Sequence, residues 1–376
     1  MAIKIRRDGA VEVEIFKLTY NEKQHLFIAK DDIGEDICRF SYPLERDKEF
    51  NTSYDQFNLY LFHKDSFAAN DIFHIKCRGH RLGWLFPIQA LLTDQHDYAD
   101  DKHFFPYSFN AYKCLLWNKA NLPYKVCDGD SSPTLDAIYG ENTIVLILSK
   151  KFLKTFRSSF HEDFMLEDYL VSLYRFGYTL MSTSNFKNLH SFKEATSNYE
   201  EVSGKAIDLT SISKELIEDK QYLNSLIQGL IKLENHPIVK FHLLYSVIEL
   251  LISKIFEYEF SATVEQFKTS SDFYKSKESL IELANEKRRI KELFGRKSPG
   301  LSQVKIKAVQ STCNKFLVFV FGQDSNLEPA PALYSVRSTI FHNFRKVPDG
   351  YQPPLTEIVT NLENLILELC IKLKLT

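Results

Sequence analysis

Arg337 and His342 lie five positions apart in the segment Leu333-Tyr-Ser-Val-Arg-Ser-Thr-Ile-Phe-His-Asn343. An arginine grips phosphate oxygens through several fixed donors. A histidine moves protons near neutral pH. Together they suit the binding and cleavage of a phosphodiester. None of the other histidines has an arginine five to seven positions before it. By spacing alone, the pair also fits a surface arginine beside a capping or buried histidine.

The loop Gly322-Gln-Asp-Ser-Asn-Leu-Glu-Pro-Ala-Pro331 ends in helix-start chemistry, which predicts a helix over 332–344. At about 100° per residue, Ser338 and His342 share a face, with Arg345 three residues beyond. Arg337 is turned roughly 140° from His342. The two therefore need a reach around the helix, a contribution from Glu249, or a second subunit.

An earlier segment supplies the partner surface. Pro237 fits the first position of a helix. Ile238, Phe241, Leu244, Ile248, Leu251 and Ile255 follow at three- and four-residue steps. This helix is apolar nearly all round and belongs at the centre of a bundle. His242, Tyr245 and Glu249 form a polar stripe on it. A buried carboxylate needs a partner, so Glu249 either pairs with Arg337 or reaches water at the helix edge.

These residues resemble a known family. Tyr334-Ser-Val-Arg337-Ser-Thr-Ile-Phe-His342-Asn is similar to the signature of HEPN domains, an Arg followed after four to six residues by His. Phe241-His-Leu-Leu-Tyr-Ser-Val-Ile-Glu-Leu-Leu251 resembles the first long HEPN helix, which often carries an acidic residue in an apolar run. The order also agrees, with a closing helix after the Arg/His helix. The resemblance covers about 206–376 and is nearest to ApeA-like HEPN proteins of bacterial phage defence.

The resemblance implies a metal-independent endoribonuclease with no cofactor, acting on RNA such as tRNA. It implies a toxin-like, abortive-infection effector that pairs as a homodimer through its helices. Arg337 and His342 would be catalytic, supported by Ser338, Tyr245, Glu249 and Asn343. His342 would act on the ribose 2′-hydroxyl or the leaving oxygen, and Arg337 on the phosphate charge. Ser338 stands where Asn, Asp or His is usual, which weakens the positioning of His342. Arg345 and the basic run Lys287, Arg288 and Arg289 would contact the RNA backbone. A basic run is also an ordinary solvated helix face. The rival reading is a non-catalytic HEPN-like protein that dimerises, or binds a partner or RNA without cutting it.

The chain changes character near residue 205. The expected class is α+β: a strand-rich mixed region over 1–205, then an all-α bundle over 206–376. Val11-Glu-Val-Glu-Ile-Phe16 alternates with period two. Phe57-Asn-Leu-Tyr-Leu-Phe62, Ile72-Phe-His-Ile75 and Thr143-Ile-Val-Leu-Ile-Leu148 also predict strands. One or two helices are predicted over about 162–179. Further helices are predicted over 211–235, 272–294, 304–321 and 355–374. Leu355, Ile358, Leu362, Leu365, Leu369 and Leu373 make a near-heptad seam for a bundle or a dimer.

A net charge of -2 gives no global pull toward nucleic acid, so an RNA surface must be local. No run of about 18 apolar residues predicts a membrane span, and the charged start is unlike a signal peptide. Six scattered cysteines suit reduced thiols, which points to a cytoplasmic location. His74, Cys77 and His80 have ligand types at three-residue spacing but lack a clear fourth. Asp94, His96, Asp97, Asp100, Asp101 and His103 are read as a polar surface loop. No P-loop, GxGxxG, GxSxG or HExxH occurs. By elimination, the first region binds a trigger, such as a phage component, or a regulatory partner.

Overall fold

The computed structural model describes residues 3–7, 11–44, 56–118, 124–129, 132–181, 199–269 and 273–375. The chain is α+β, with strands concentrated early and helices late. It divides into two units. One comprises Met1–Met165, Phe176–Phe192 and Glu201–Leu209, and the other Leu166–Arg175, Lys193–Glu200 and Thr210–Thr376. The division is thus interleaved rather than a single crossing at 205. Leu170–Arg175 is a helix of the second unit, and Ala206–Leu209 is a strand of the first.

Among the described residues, three sheets build the first unit. The largest has six strands, with Thr143–Ser149 and His80–Pro87 at its middle. Thr143–Ser149 is buried at all seven positions, as its run of β-branched and aliphatic residues requires. Gly83 pairs with Leu148 across these two strands. A Cβ at 83 would lie 2.0 Å from the Ile147 carbonyl oxygen. Only glycine admits this approach. Gly83→Ala should therefore destabilise the unit by at least ~2 kcal/mol, read as a fall in the chemical-denaturation midpoint. The four predicted strands are all present, within a residue or two at their ends.

The helical stretch expected over 162–179 is shorter. Leu166–Tyr169 is a 3-10 turn and Leu170–Arg175 the only α-helical part. Gly177, at φ 85°, ends any continuation. The expected single helix over 211–235 is also broken. It runs as a 3-10 turn at Lys214–Leu216, an α-helix at Lys220–Asn224 and a π-helix at Ser225–Ile231. The seven-residue gap between Leu216 and Leu223 contains the first break. The wider π turn turns Leu230 outward, 55% exposed, while Leu226, Ile227 and Ile231 stay buried.

Pro237–Thr269 is one long helix. Phe241, Leu244, Tyr245, Val247, Ile248, Leu251, Ile252 and Ile255 are buried on it. Each such side chain stabilises the fold by ~1.5–3 kcal/mol. The helix expected over 272–294 is two, Phe273–Ala284 and Glu286–Phe294. Asn285 separates them. Its side chain accepts from the Arg288 backbone N–H at 3.3 Å and so caps the second. Gln303–Phe321, the motif helix Pro329–His342 and the closing helix Gln352–Lys372 complete the unit. All six residues of the near-heptad seam are at most 1% exposed inside this unit. The seam therefore serves the bundle within the chain.

One polar group lies deep among these helices. Lys240 Nζ is 2.8 Å from Glu363 Oε2, and the Tyr174 hydroxyl donates to Glu363 Oε1 at 2.7 Å. All three side chains are buried.

Candidate active site

The motif helix starts with Pro329 in its first turn, where a missing N–H leaves nothing unpaired. Ala332, Leu333, Val336 and Ile340 hold it in the core. His342 is its last residue, and the backbone N–H of Asn343 donates to Thr339 O at 3.0 Å to close it. His342 is exposed and Arg337 half-buried.

Arg337 and His342 meet within one chain. Arg337 Nη1 is 3.1 Å from His342 Nε2. Arg337 Nη2 donates to Glu249 Oε1 at 3.5 Å. The separation around the helix is closed by the length of the arginine side chain. Its guanidinium carbon lies 5.0 Å from the Phe341 ring and 5.6 Å from the Tyr245 ring. These two rings form a platform that steers the guanidinium toward the helix end. No second subunit is needed to join Arg337 to His342. Guanidinium only donates, so His342 Nε2 accepts here and its neutral form carries the proton on Nδ1.

Glu249 is 47% exposed, so it reaches both the arginine and water. Tyr245 is fully buried, and its hydroxyl donates to Glu286 Oε1 at 2.6 Å rather than to the arginine. Burial, and then the Glu286 carboxylate, push the Tyr245 phenol up, so it remains a donor. The His242 ring lies parallel to Phe341, with centroids 3.9 Å apart and planes at 4°. Burial holds His242 below the ordinary histidine range. The Glu249 charge pulls it back up, and the Arg337 charge adds to the lowering. A second imidazole therefore stands within reach of the arginine's charge.

Phe341 and Glu286 were missed in reading the sequence. Phe341 is four residues after Arg337 and so shares its face, a visible signal. Glu286 comes from a separate helix and carried no signal. Ser338 is half-buried beside the pair, and no hydrogen bond from its hydroxyl is described. Arg345 lies exposed in the short turn Phe344–Lys346.

The basic run does not form one patch, because successive helical residues diverge by ~100°. Lys287 Nζ sits 4.8 Å from the Tyr334 ring, toward the motif helix. Arg288 Nη2 is 3.5 Å from Glu259 Oε2, and Arg289 packs 5.3 Å from the Phe256 ring. Of the three, Lys287 is the one directed at the motif helix.

Comparison with protein families, curated proteins and solved structures finds no match to this chain. The functional reading therefore rests on the geometry of the site.

In the strand-rich unit, the His74 ring packs tilted against Trp84 at 3.9 Å and the His80 ring edge-on against Phe160 at 5.2 Å. Cys77 is buried. Among the described residues, no group of three or more His, Cys, Asp or Glu is placed to hold a metal ion. Cys38, Cys127, Cys313 and Cys370 are free thiols. Among the described residues, no helix is long and apolar enough to cross a membrane.

The contacts rank the supporting residues. Arg337→Lys keeps the charge but cannot span His342 and Glu249 at once. Any phosphodiester cleavage at this site should then fall by about 10²-fold. Glu249→Gln should change the rate by less than about tenfold, because a half-exposed pair contributes at most ~1 kcal/mol. Initial rates on a labelled RNA check both.

Proposed function

We propose that this chain is a metal-independent endoribonuclease of HEPN type, cutting RNA at the Arg337/His342 site. The observation that carries the reading is the 3.1 Å contact between the half-buried guanidinium and the exposed imidazole. An incoming phosphodiester competes for the guanidinium. As Arg337 turns its N–H groups to the non-bridging oxygens, His342 Nε2 is released. It then takes the proton of the ribose 2′-hydroxyl. The 2′-oxygen attacks phosphorus, the bond to the 5′-oxygen breaks, and the proton gained by His342 is passed, directly or through water, to that leaving oxygen. The products are a 2′,3′-cyclic phosphate and a 5′-hydroxyl end. Glu249 orients the arginine, and Tyr245 and Phe341 set its height above the helix.

The wider proposal is an antiviral, abortive-infection effector of the cytoplasm, toxic when active and restrained by its strand-rich unit. A homodimer through the helical unit and a trigger at the other unit belong to this reading. Lys287 and Arg345 would hold the RNA backbone. Incubating purified protein with tRNA in the presence of EDTA tests the activity: cut RNA supports it, and intact RNA contradicts it.

One observation favours a second reading. Both outer nitrogens of Arg337 are already engaged inside the chain. In a non-catalytic interaction protein, this triad would only latch the end of the motif helix. Arg337→Ala would then lower stability without altering any RNA.

A further inference from the structure

Trp84 is fully buried in the strand-rich unit, in a polar cluster that RNA cleavage does not use. Strand pairing sets His74 opposite Trp84 and Lys76 opposite Arg81. The bulge between Ile75 and Lys76 brings these four residues to one face of the sheet. The Arg81 guanidinium lies 4.6 Å from the indole, and the Tyr98 ring 5.0 Å from it.

Polar atoms of four side chains here are enclosed and unpartnered: Arg81 Nε and Nη2, Trp84 Nε1, Tyr98 Oη and His74 Nδ1. Arg81 Nε and Nη2 form the side-on edge that takes two oxygens of one anion. Arg81 as a whole is half-buried, but these two N–H groups are enclosed, and each stranded donor is destabilising. Asp101 lies near enough to act on both Arg81 and His74, yet no ion pair joins it to Arg81. His74 brings no charge of its own. Burial, and then the Arg81 charge, push it down to about 4.

We propose that Arg81, Trp84 and Tyr98 form a binding site for a phosphate group, with the side-on edge of Arg81 taking two of its oxygens. The donor count selects the anion. Arg81 supplies two N–H groups, Trp84 one, the Tyr98 hydroxyl one, and His74 a further one in its Nδ1–H tautomer. A carboxylate offers about four acceptor positions on two oxygens. A phosphate spreads more positions over three or four oxygens. The donors are enclosed in this conformation, so binding opens the cluster locally. Tyr98 lies on the loop at 92–104, which an exposed Lys205–Asp97 pair at 3.8 Å ties back. A pair of that kind is easily broken. Inorganic phosphate and the phosphate of a nucleotide share this chemistry.

Thermal melts of the full chain test the site. Tryptophan fluorescence reports this unit alone, because the two tryptophans, 84 and 117, both lie in it. Phosphate at about 10 mM, compared with chloride of equal ionic strength, should raise the parent's Tm by about 2–4 °C. Arg81→Met removes both N–H groups of that edge and should not respond to phosphate. Arg81→Lys keeps the charge and loses the two-pronged edge, so its affinity should fall at least about tenfold. A larger shift with a nucleoside monophosphate identifies a nucleotide as the source; an equal or smaller one identifies the free ion. A parent indifferent to both overturns the proposal. So does an equal response to acetate, or an Arg81→Lys variant that responds as the parent does. None of these readings depends on whether the chain cuts RNA.

Discussion

His342→Ala should reduce RNA cleavage by at least about 10²-fold, the usual contribution of a positioned proton-transfer group. It should leave stability within ~0.5 kcal/mol of the parent, because His342 is exposed at the end of its helix. The separation of the two effects matters. A residue that merely latched the helix would move stability and spare chemistry. The Nε2 atom that faces Arg337 is the one released when phosphate takes the guanidinium. Initial rates on tRNA and a thermal melt of the same samples check both halves. Cleavage that survives in His342→Ala but is lost in His242→Ala would move proton transfer to the imidazole stacked on Phe341.

Lys240→Met should destabilise the helical unit by about 3–5 kcal/mol. The loss comes from removing the buried counter-charge of Glu363, whose carboxylate lies 2.8 Å from the Lys240 ammonium and accepts from the Tyr174 hydroxyl at 2.7 Å. Both ionic side chains are at most 5% exposed, so water cannot replace the missing partner. Tyr174 cannot neutralise the site, since burial and the neighbouring Glu363 charge hold its phenol well above the ordinary range. Changing both members, Lys240→Met with Glu363→Leu, should recover most of the loss, because a buried pair contributes little over well-packed apolar groups. Urea unfolding followed by far-UV circular dichroism measures the three proteins. Equal losses in the single and double variants would contradict this account.

Much of the fold was legible because periodicity reports burial. Phe241 to Ile255 and Leu355 to Leu373 carry unbroken three- and four-residue spacing, and both segments are helices with those residues inside. The breaks were not legible. Asn285 caps one helix and ends another within a pattern that reads as continuous. The π turn at Ser225–Ile231 depends on packing that no local signal announces. Interleaving of the units was hidden too, since Ala206–Leu209 finds its strand partner, Phe73–Cys77, far back in the chain.

The site was legible in its residues and less so in its geometry. The stripe of His242, Tyr245 and Glu249 does face Arg337, and Glu249 both pairs with it and reaches water. Tyr245 offers its ring to the arginine and its hydroxyl to Glu286. Helical angles placed Arg337 away from His342, because Cα geometry ignores the reach of a long side chain over Phe341. Lys287, Arg288 and Arg289 read as one basic run, yet Glu259 and Phe256 draw the last two to other neighbours.

The central claim is that one chain carries a metal-independent, RNA-cutting Arg/His site. The most direct measurement is the chemistry of the cut ends after incubating the parent protein with tRNA and total RNA in EDTA. The expected ends are 2′,3′-cyclic phosphate and 5′-hydroxyl. Intact RNA, or ends bearing a 3′-hydroxyl and a 5′-phosphate, would contradict it.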